Sequence, residues 1–319
     1  MSVVRGDAAT RTTLMLRVAH LYHTDAMPQP EIARRLGLSQ SRVSRLLTEA
    51  VRAGIVRTVV VTPPGTHAEL ESGLRRQLGL RDALVADVET DDPAAAIAAV
   101  GAMAADLLAT TLRPGERIGV SSRSATLRSM SDMLPPLPAA DAVVQVLGAI
   151  GAAQARAHSA RLTERLAQAT GAEPVYLPAP GVVSSAAVRA GLLDDEHVAD
   201  ALRACSGLTT VLTGIGSTSA AGTAAGWGEA LPAADLARAR ASSAVGDVCL
   251  SFFDADGRPV DLGLADRTLG IDADTLRSVP RRIGVAAGVG KAAAIRGAAL
   301  GGWIDTLVTD CVTARALLS

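Results

Sequence analysis

Between Ser39 and Thr48 the chain reads Ser-Gln-Ser-Arg-Val-Ser-Arg-Leu-Leu-Thr. On a wheel of about 100° per residue, Val43, Leu46, Leu47 and Ala50 share one narrow arc. Gln40, Ser41, Ser44, Arg45 and Thr48 share the opposite arc. Arg and Gln side chains can pair bidentately with base edges, and Ser hydroxyls and backbone N–H groups at a helix start can hold phosphates. Ser39, Gln40, Ser41, Arg42, Ser44 and Arg45 are therefore candidate contacts to a DNA duplex. The plainer alternative is an ordinary solvated helix face.

Two more stretches suit an anion. Gly119-Val120-Ser121-Ser122-Arg123-Ser124-Ala125-Thr126 reads as a strand that ends in a hydroxyl-rich loop and starts a helix. Hydroxyls, backbone N–H groups and the positive helix end together favour phosphate there; a simple capped helix start is the alternative. Ala287-Gly288-Val289-Gly290-Lys291 also lies between strand and helix, and Lys291 is the sole lysine of the chain. A cation at a helix start opposes the dipole unless an anion binds. This is no Walker A loop, because Ala292 stands where Ser or Thr is required and the earlier glycine is missing. Asp247, after Gly246, could accept sugar hydroxyls or merely cap a turn. His20, His23, His67, His158 and His197 show no ligand spacing, and the three cysteines lie far apart, so neither a metal nor another cofactor is expected.

These residues need elements to position them. Leu14, Val18, Leu21 and Tyr22 predict a first amphipathic helix. Pro28 and Pro30 precede a short second helix with Ile32, Ala33 and Leu36 inward and Gly37 closing it. Ser39 is a good N-cap for the third helix, and Gly54 suits its end. Residues 55–61 are β-rich, either a wing or the start of a linker. Thr62-Pro63-Pro64-Gly65 marks a break. Leu70, Leu74 and Leu78 predict a helix before Gly79. Strand candidates then follow at 83–88, 117–121, 142–147, 175–177, 209–213, 248–253, 283–286 and 306–309, with helices between most of them, as at 93–110 and 153–170. Such alternation predicts a mainly parallel sheet with helices on both faces. Phe253-Asp254-Ala255-Asp256-Gly257 predicts a hairpin turn. Trp227 and Trp303 are expected in the core or an interface rather than as sugar-stacking platforms.

The domains expected are 1–62 for DNA binding, 63–69 as linker and 70–319 as an effector-binding α/β domain. Charge follows the same division. Residues 1–62 carry nine arginines against four acidic residues, and the rest of the chain has a net charge of −6. A basic head on an acidic body suits a chain that meets a polyanion only through its head. Alanine accounts for much of the 49% hydrophobic content, no secretory signal is visible, and no unbroken strongly apolar run of about 18–20 residues is expected. A cytoplasmic protein without a membrane partner is the expectation.

The segment PEIARRLGLSQSRVSRLLTEAVRAGIV resembles the DNA-binding head of SorC-type sugar-responsive regulators, with Pro28 where a polar cap is more usual. Over roughly 70–319 the chain resembles the SorC sugar-binding domain. The carrying segments are Leu177-Pro178-Ala179-Pro180, Gly214-Ile215-Gly216-Ser217, Ala244-Val245-Gly246-Asp247, Phe253 to Gly257, Gly288 with Lys291, and Leu307-Val308-Thr309-Asp310. The resemblance implies a helix-turn-helix (winged or not) followed by a Rossmann-like domain related to sugar-phosphate isomerases and glucosamine-6-phosphate deaminases. It implies a transcription regulator of carbohydrate metabolism, working as a homo-oligomer (dimer or tetramer), whose operator binding a sugar or sugar phosphate modulates. The implied effector pocket takes Ser121, Ser122, Arg123, Ser124 and Thr126 with Asp247 and Lys291, and His158 contributes from the segment after Leu147. Many family members have Trp-Gly where this chain has Ser122-Arg123, which points to a different effector. The competing reading is a sugar-phosphate isomerase or deaminase with an appended DNA-binding head. Against it, no Asp/His/Glu acid–base constellation is visible in the body.

Overall fold

The computed structural model describes residues 3–56, 65–88, 92–121, 124–151, 153–219 and 231–319, with the side chains of 3–10 and 153–159 set aside. It divides into two compact units, 1–62 and 63–319.

In the first unit, α1 (Val3–His23), α2 (Gln29–Leu36) and α3 (Gln40–Arg52) enclose a core of Met15, Val18, Leu21, Ile32, Val43, Leu46 and Leu47. Met15 takes the inward place expected of Tyr22, which is 38% exposed. Tyr22 lies in the last turn of α1 and stacks edge-on against His23. Gly37 ends α2 at φ +65°, a conformation open to glycine at little cost. The Ser39 hydroxyl accepts the Arg42 N–H at 3.3 Å and opens α3. Pro28 precedes α2 in an extended conformation and supplies no side-chain cap. The wing-or-linker segment lies almost wholly outside the described residues; Ile55 and Val56 both donate to Ala50 O, closing α3.

The second unit opens with α4 (Ala68–Leu78), so Ala68 and Glu69, expected in the linker, are already helical. Among the described residues, one sheet has seven strands: β1 (Asp82–Ala86), β2 (Arg117–Val120), β3 (Ala142–Gln145), β4 (Glu173–Val175), β5 (Thr210–Thr213), β9 (Arg281–Val285) and β10 (Thr306–Asp310). They pair in parallel in the order β1-β10-β9-β5-β2-β3-β4. Helices cover both faces. Leu74 and Leu78 of α4 join Ala298, Trp303 and Leu317 on one face. On the other, Val100 and Leu108 of α5 (Pro93–Thr111) join Leu127 and Met130 of α6 (Ala125–Met133) and Leu162 and Leu166 of α7 (Ala153–Thr170). Burial on both faces explains why the strands read as short continuous apolar runs.

Helix α5, with 19 residues, is long and apolar enough to cross a bilayer by length and composition. It is not an unbroken strongly apolar run, because Asp106 interrupts it and alanine supplies much of its apolar content, and Val100, Ala104 and Leu108 pack into the sheet core. One expectation needs correction. The strand expected at 248–253 is instead two strands, β7 (Gly246–Val248) and β8 (Ser251–Phe253), reversed at Cys249-Leu250. With β6 (Gly216–Ser217) they form a small antiparallel sheet. The expected turn after Phe253 also forms: Asp254 Oδ1 accepts the N–H groups of Asp256 and Arg258 at 3.0 and 2.9 Å. Trp303 is fully buried, stacks on Phe253 and donates to Gly257 O at 2.9 Å, a core role; Trp227 lies outside the described residues.

Candidate functional site

In the head, the helical wheel of α3 holds. Val43, Leu46, Leu47 and Ala50 are buried, while Gln40, Ser41, Arg42, Ser44, Arg45 and Thr48 are exposed. The exposed groups are loosely held. Arg45 Nε donates to Ser41 O at 3.3 Å, Thr48 Oγ1 donates to Ser44 O at 3.1 Å, and the hydroxyls of Ser39 and Ser41 lie 3.1 Å apart. Glu49, one turn on, is engaged by Arg11 of α1 at 2.8 Å, an exposed ion pair that bridges the two helices at the surface.

At the carboxyl end of the central strands, Ser121, Leu147, Gly214, Gly216, Asp247 and Cys249 line a cavity of about 30 Å³. That space suits a water molecule rather than a sugar. Ser121 Oγ accepts the Gly214 N–H at 3.3 Å. Gly214 is required here, because a Cβ on it would lie 2.6 Å from the Ser124 Cβ. Asp247, on β7, is buried, and its Oδ2 accepts the Leu250 N–H at 2.9 Å.

The remaining sequence-derived candidates divide. Ser124 and Thr126 are buried and their hydroxyls serve the fold. Ser124 Oγ caps α6 by accepting the Leu127 N–H at 3.2 Å, it lies 2.7 Å from Thr126 Oγ1, and Thr126 Oγ1 donates to Val285 O at the end of β9. Ser122, Arg123 and the side chain of His158 lie outside the described residues. Lys291 ends a short 3-10 turn (Val289–Lys291) before the helix Ala292–Leu300, the expected place, but it is not among the residues lining the cavity.

Sequence reasoning missed what holds the lysine loop. The Gly288 N–H is shared between Asp310 Oδ2 at 2.9 Å and Thr313 Oγ1 at 3.0 Å. The hydroxyls of Ser217 and Ser219 both donate to Gly290 O, at 3.3 and 3.0 Å. The run Gly216-Ser217-Thr218-Ser219, directly after a strand, was the available signal. These bonds place β6, whose Gly216 is in register with Asp247, beside the loop that carries Lys291.

A larger cavity, about 560 Å³, opens at the opposite, amino-terminal edge of the sheet, among Arg81, Asp82, Arg113, Glu116, Thr210 and Arg281. Several of its polar groups are engaged with neighbouring side chains and backbone. Glu116 Oε2 accepts from Thr210 Oγ1 at 2.6 Å, its Oε1 accepts the Arg113 N–H at 3.0 Å, and Arg281 donates to Thr111 Oγ1. Burial pulls the Arg281 pKa below its ordinary value, against the opposing pull of Glu116 and Asp305. Helix carboxyl ends gather at this edge, and arginines there complement them. Ligands of open α/β sheets bind at the other edge.

Comparison with known proteins follows the same division. A family model for a sugar-binding domain matches residues 62–319, and one for region 4 of sigma-70 matches residues 9–53. The chain is 31% identical to the sorbitol operon regulator of Klebsiella pneumoniae, over 96% of this chain and 97% of that protein. It is 31% identical to the deoxyribonucleoside regulator of Bacillus subtilis over the same shares. The crystal structure of the full-length sorbitol operon regulator SorC from Klebsiella pneumoniae superposes with a TM-score of 0.72 at 30% identity, covering 97% of this chain and 99% of that one. These relatives are named as regulators rather than as isomerases or deaminases.

Proposed function

The chain belongs to the SorC-type family of sugar-binding transcriptional regulators, and on that premise we propose that α3 reads a double-stranded operator while a small sugar, most simply a sugar phosphate, binds at the strand ends and changes operator affinity. The observation that carries the first half is the division of α3: an apolar seam packed into the head, and a face of Gln40, Ser41, Arg42, Ser44 and Arg45 left to solvent. Such a face, with a helix N-terminus beside it, matches what a major groove offers in acceptors and phosphates.

The second half rests on Ser121 and Asp247 lining one cavity at the strand ends, with the Lys291 loop tied to the neighbouring strand through Ser217; the cavity is water-sized as it stands, so a sugar enters only as its lining opens. A carboxylate for sugar hydroxyls and an ammonium at a helix start for phosphate are the two chemistries that a sugar phosphate requires. Ser122, Arg123 and His158 complete the proposed site, while Ser124 and Thr126, whose hydroxyls are engaged within the fold, shape the start of its loop. A ligand must bind two arrangements of the protein unequally to act at a distance, and a tenfold change in operator affinity corresponds to about 1.4 kcal/mol of such coupling. We place the protein in the cytoplasm, where its DNA is, as a homo-oligomer whose paired heads meet two half-sites.

Fluorescence anisotropy of the full chain on the duplex upstream of its own gene tests the reading, with random duplex as control. Preferred binding that shifts on adding one member of a sugar-phosphate panel is expected. Equal binding to both duplexes, unchanged by every panel member, would reject it.

A further inference from the structure

Outside that site, three side chains of different chemistry meet at the end of β1. His67 Nε2 lies 2.9 Å from Asp87 Oδ1. One donor atom each from His67, Asp87 and Cys311 lies within 4.8 Å of the others. Each arrives from a separate part of the unit. His67 precedes α4 and makes no side-chain cap bond to that helix. Asp87 directly follows β1, and Cys311 opens the helix Cys311–Leu318 directly after β10. Ala86 is in register with Asp310, so the parallel pairing of β1 with β10 delivers Asp87 and Cys311 as the next residues on adjoining strands.

We propose that His67, Asp87 and Cys311 form a three-ligand site for a transition metal ion, zinc above all. The donor set decides the class. An imidazole nitrogen, a carboxylate oxygen and a thiolate sulfur suit zinc and its spectroscopic substitute cobalt, whereas magnesium and calcium take oxygen donors. Charge agrees: a thiolate and a carboxylate balance a divalent ion, with the imidazole neutral. At bond lengths of about 2.0–2.3 Å, donors around tetrahedral zinc sit roughly 3.3–3.8 Å apart, so small side-chain rotations close the site. Binding releases the Cys311 thiol proton to solvent, and the metal takes the His67 Nε2 position facing Asp87 with the imidazole proton carried on Nδ1, so the ring stays neutral. Arg315 Nη1 donates to Cys311 Sγ at 3.8 Å, the place of an outer hydrogen bond that orients a thiolate ligand. Val88 O, 3.6 Å from the same sulfur, or water can take the fourth position.

The position gives the ion a structural consequence. Cys311 adjoins Asp310, whose Oδ2 holds the Gly288 N–H of the lysine loop. A bound metal therefore ties the start of α4 to the strand end that anchors that loop.

The test uses the full chain, stripped with chelator and titrated with cobalt. One equivalent bound, a sulfur-to-cobalt charge-transfer band, its loss on adding zinc, and a rise in Tm with zinc are expected. Cys311→Ser should abolish the band, while Cys205→Ser and Cys249→Ser keep it. Cys311 is buried, so its replacement could compromise folding. His67→Gln and Asp87→Asn, checked for native circular dichroism, should each weaken cobalt binding about tenfold or more. A folded wild-type chain without the band, a band surviving in Cys311→Ser, or unchanged affinity in both partner variants would overturn the site.

Discussion

The carboxylate of Asp247 accepts the backbone N–H of Leu250 at 2.9 Å and so closes a two-residue hairpin turn whose central residues, Cys249 and Leu250, both have positive φ, +51° and +66°. Such turns ordinarily use Asn-Gly, because side chains in this region cost about 1 kcal/mol or more each. Here Cys249 and Leu250 are buried, and Leu250 packs with Leu147 and Phe252. Strain held by burial and by one carboxylate stands beside the proposed effector cavity.

That relationship separates two roles of Asp247. Asp247→Ala removes the acceptor of the Leu250 N–H and should cost about 1.5–3 kcal/mol in urea unfolding. Asp247→Asn keeps an oxygen acceptor and should cost clearly less. Both should lose the thermal-shift response to the effector. An Asn variant that responds fully would leave Asp247 a turn-forming residue alone.

Arg45 is exposed on α3, and its Nε donates to Ser41 O at 3.3 Å. Arg45→Ala should weaken operator binding by about 1–3 kcal/mol and random duplex less, as expected for a side chain that reads a base edge. Arg42→Ala should weaken both duplexes alike and reduce the salt slope by about 1, the mark of a phosphate contact. Anisotropy across a salt series distinguishes the two, and identical losses for Arg45→Ala on both duplexes would move it to the phosphate class.

How much of this was legible beforehand follows from locality. The head was readable because each signal is local: a seam at helical spacing, the Ser39 cap, and Gly37 and Gly54 at positive φ. The parallel sheet was readable from apolar runs bounded by turns. The Cys249-Leu250 reversal was not, because neither residue favours positive φ and the turn is enforced by Asp247 and by burial. The hydroxyls of Ser124 and Thr126 looked available for ligand, yet Thr126 donates to Val285 O, 159 residues away. The His67, Asp87 and Cys311 grouping depends on the register of β1 with β10, which no spacing along the chain reveals.

Lys291 stands at the start of the helix Ala292–Leu300, and its loop is tied to Ser217, Ser219 and Asp310 through backbone atoms. Lys291→Ala leaves those backbone bonds intact. It should preserve operator affinity and lose the effector-induced shift in Tm. A wild-type shift in the variant would remove Lys291 from the effector site.

The last prediction concerns acid. Asp235, in the helix Ala233–Ala241, is buried, and its Oδ1 accepts from Arg267 at 2.7 Å and from Arg238. Burial alone would raise its pKa, but the hydrogen bonds and charges of Arg267 and then Arg238 outweigh burial and hold it below the ordinary value. A depressed carboxyl stabilises the fold fully above its unfolded pKa of about 3.9. That contribution is lost as pH falls through the lower folded value. Arg267 is also largely buried, so Asp235→Asn leaves a guanidinium without its charge partner and should cost about 3 kcal/mol at neutral pH. Unfolding free energies measured from neutral pH down to about pH 3 should therefore converge: the wild-type advantage shrinks with acid, because protonation does to Asp235 what the amide does permanently. Curves that stay parallel down to the lowest pH would show that Asp235 acts through packing rather than through its charge.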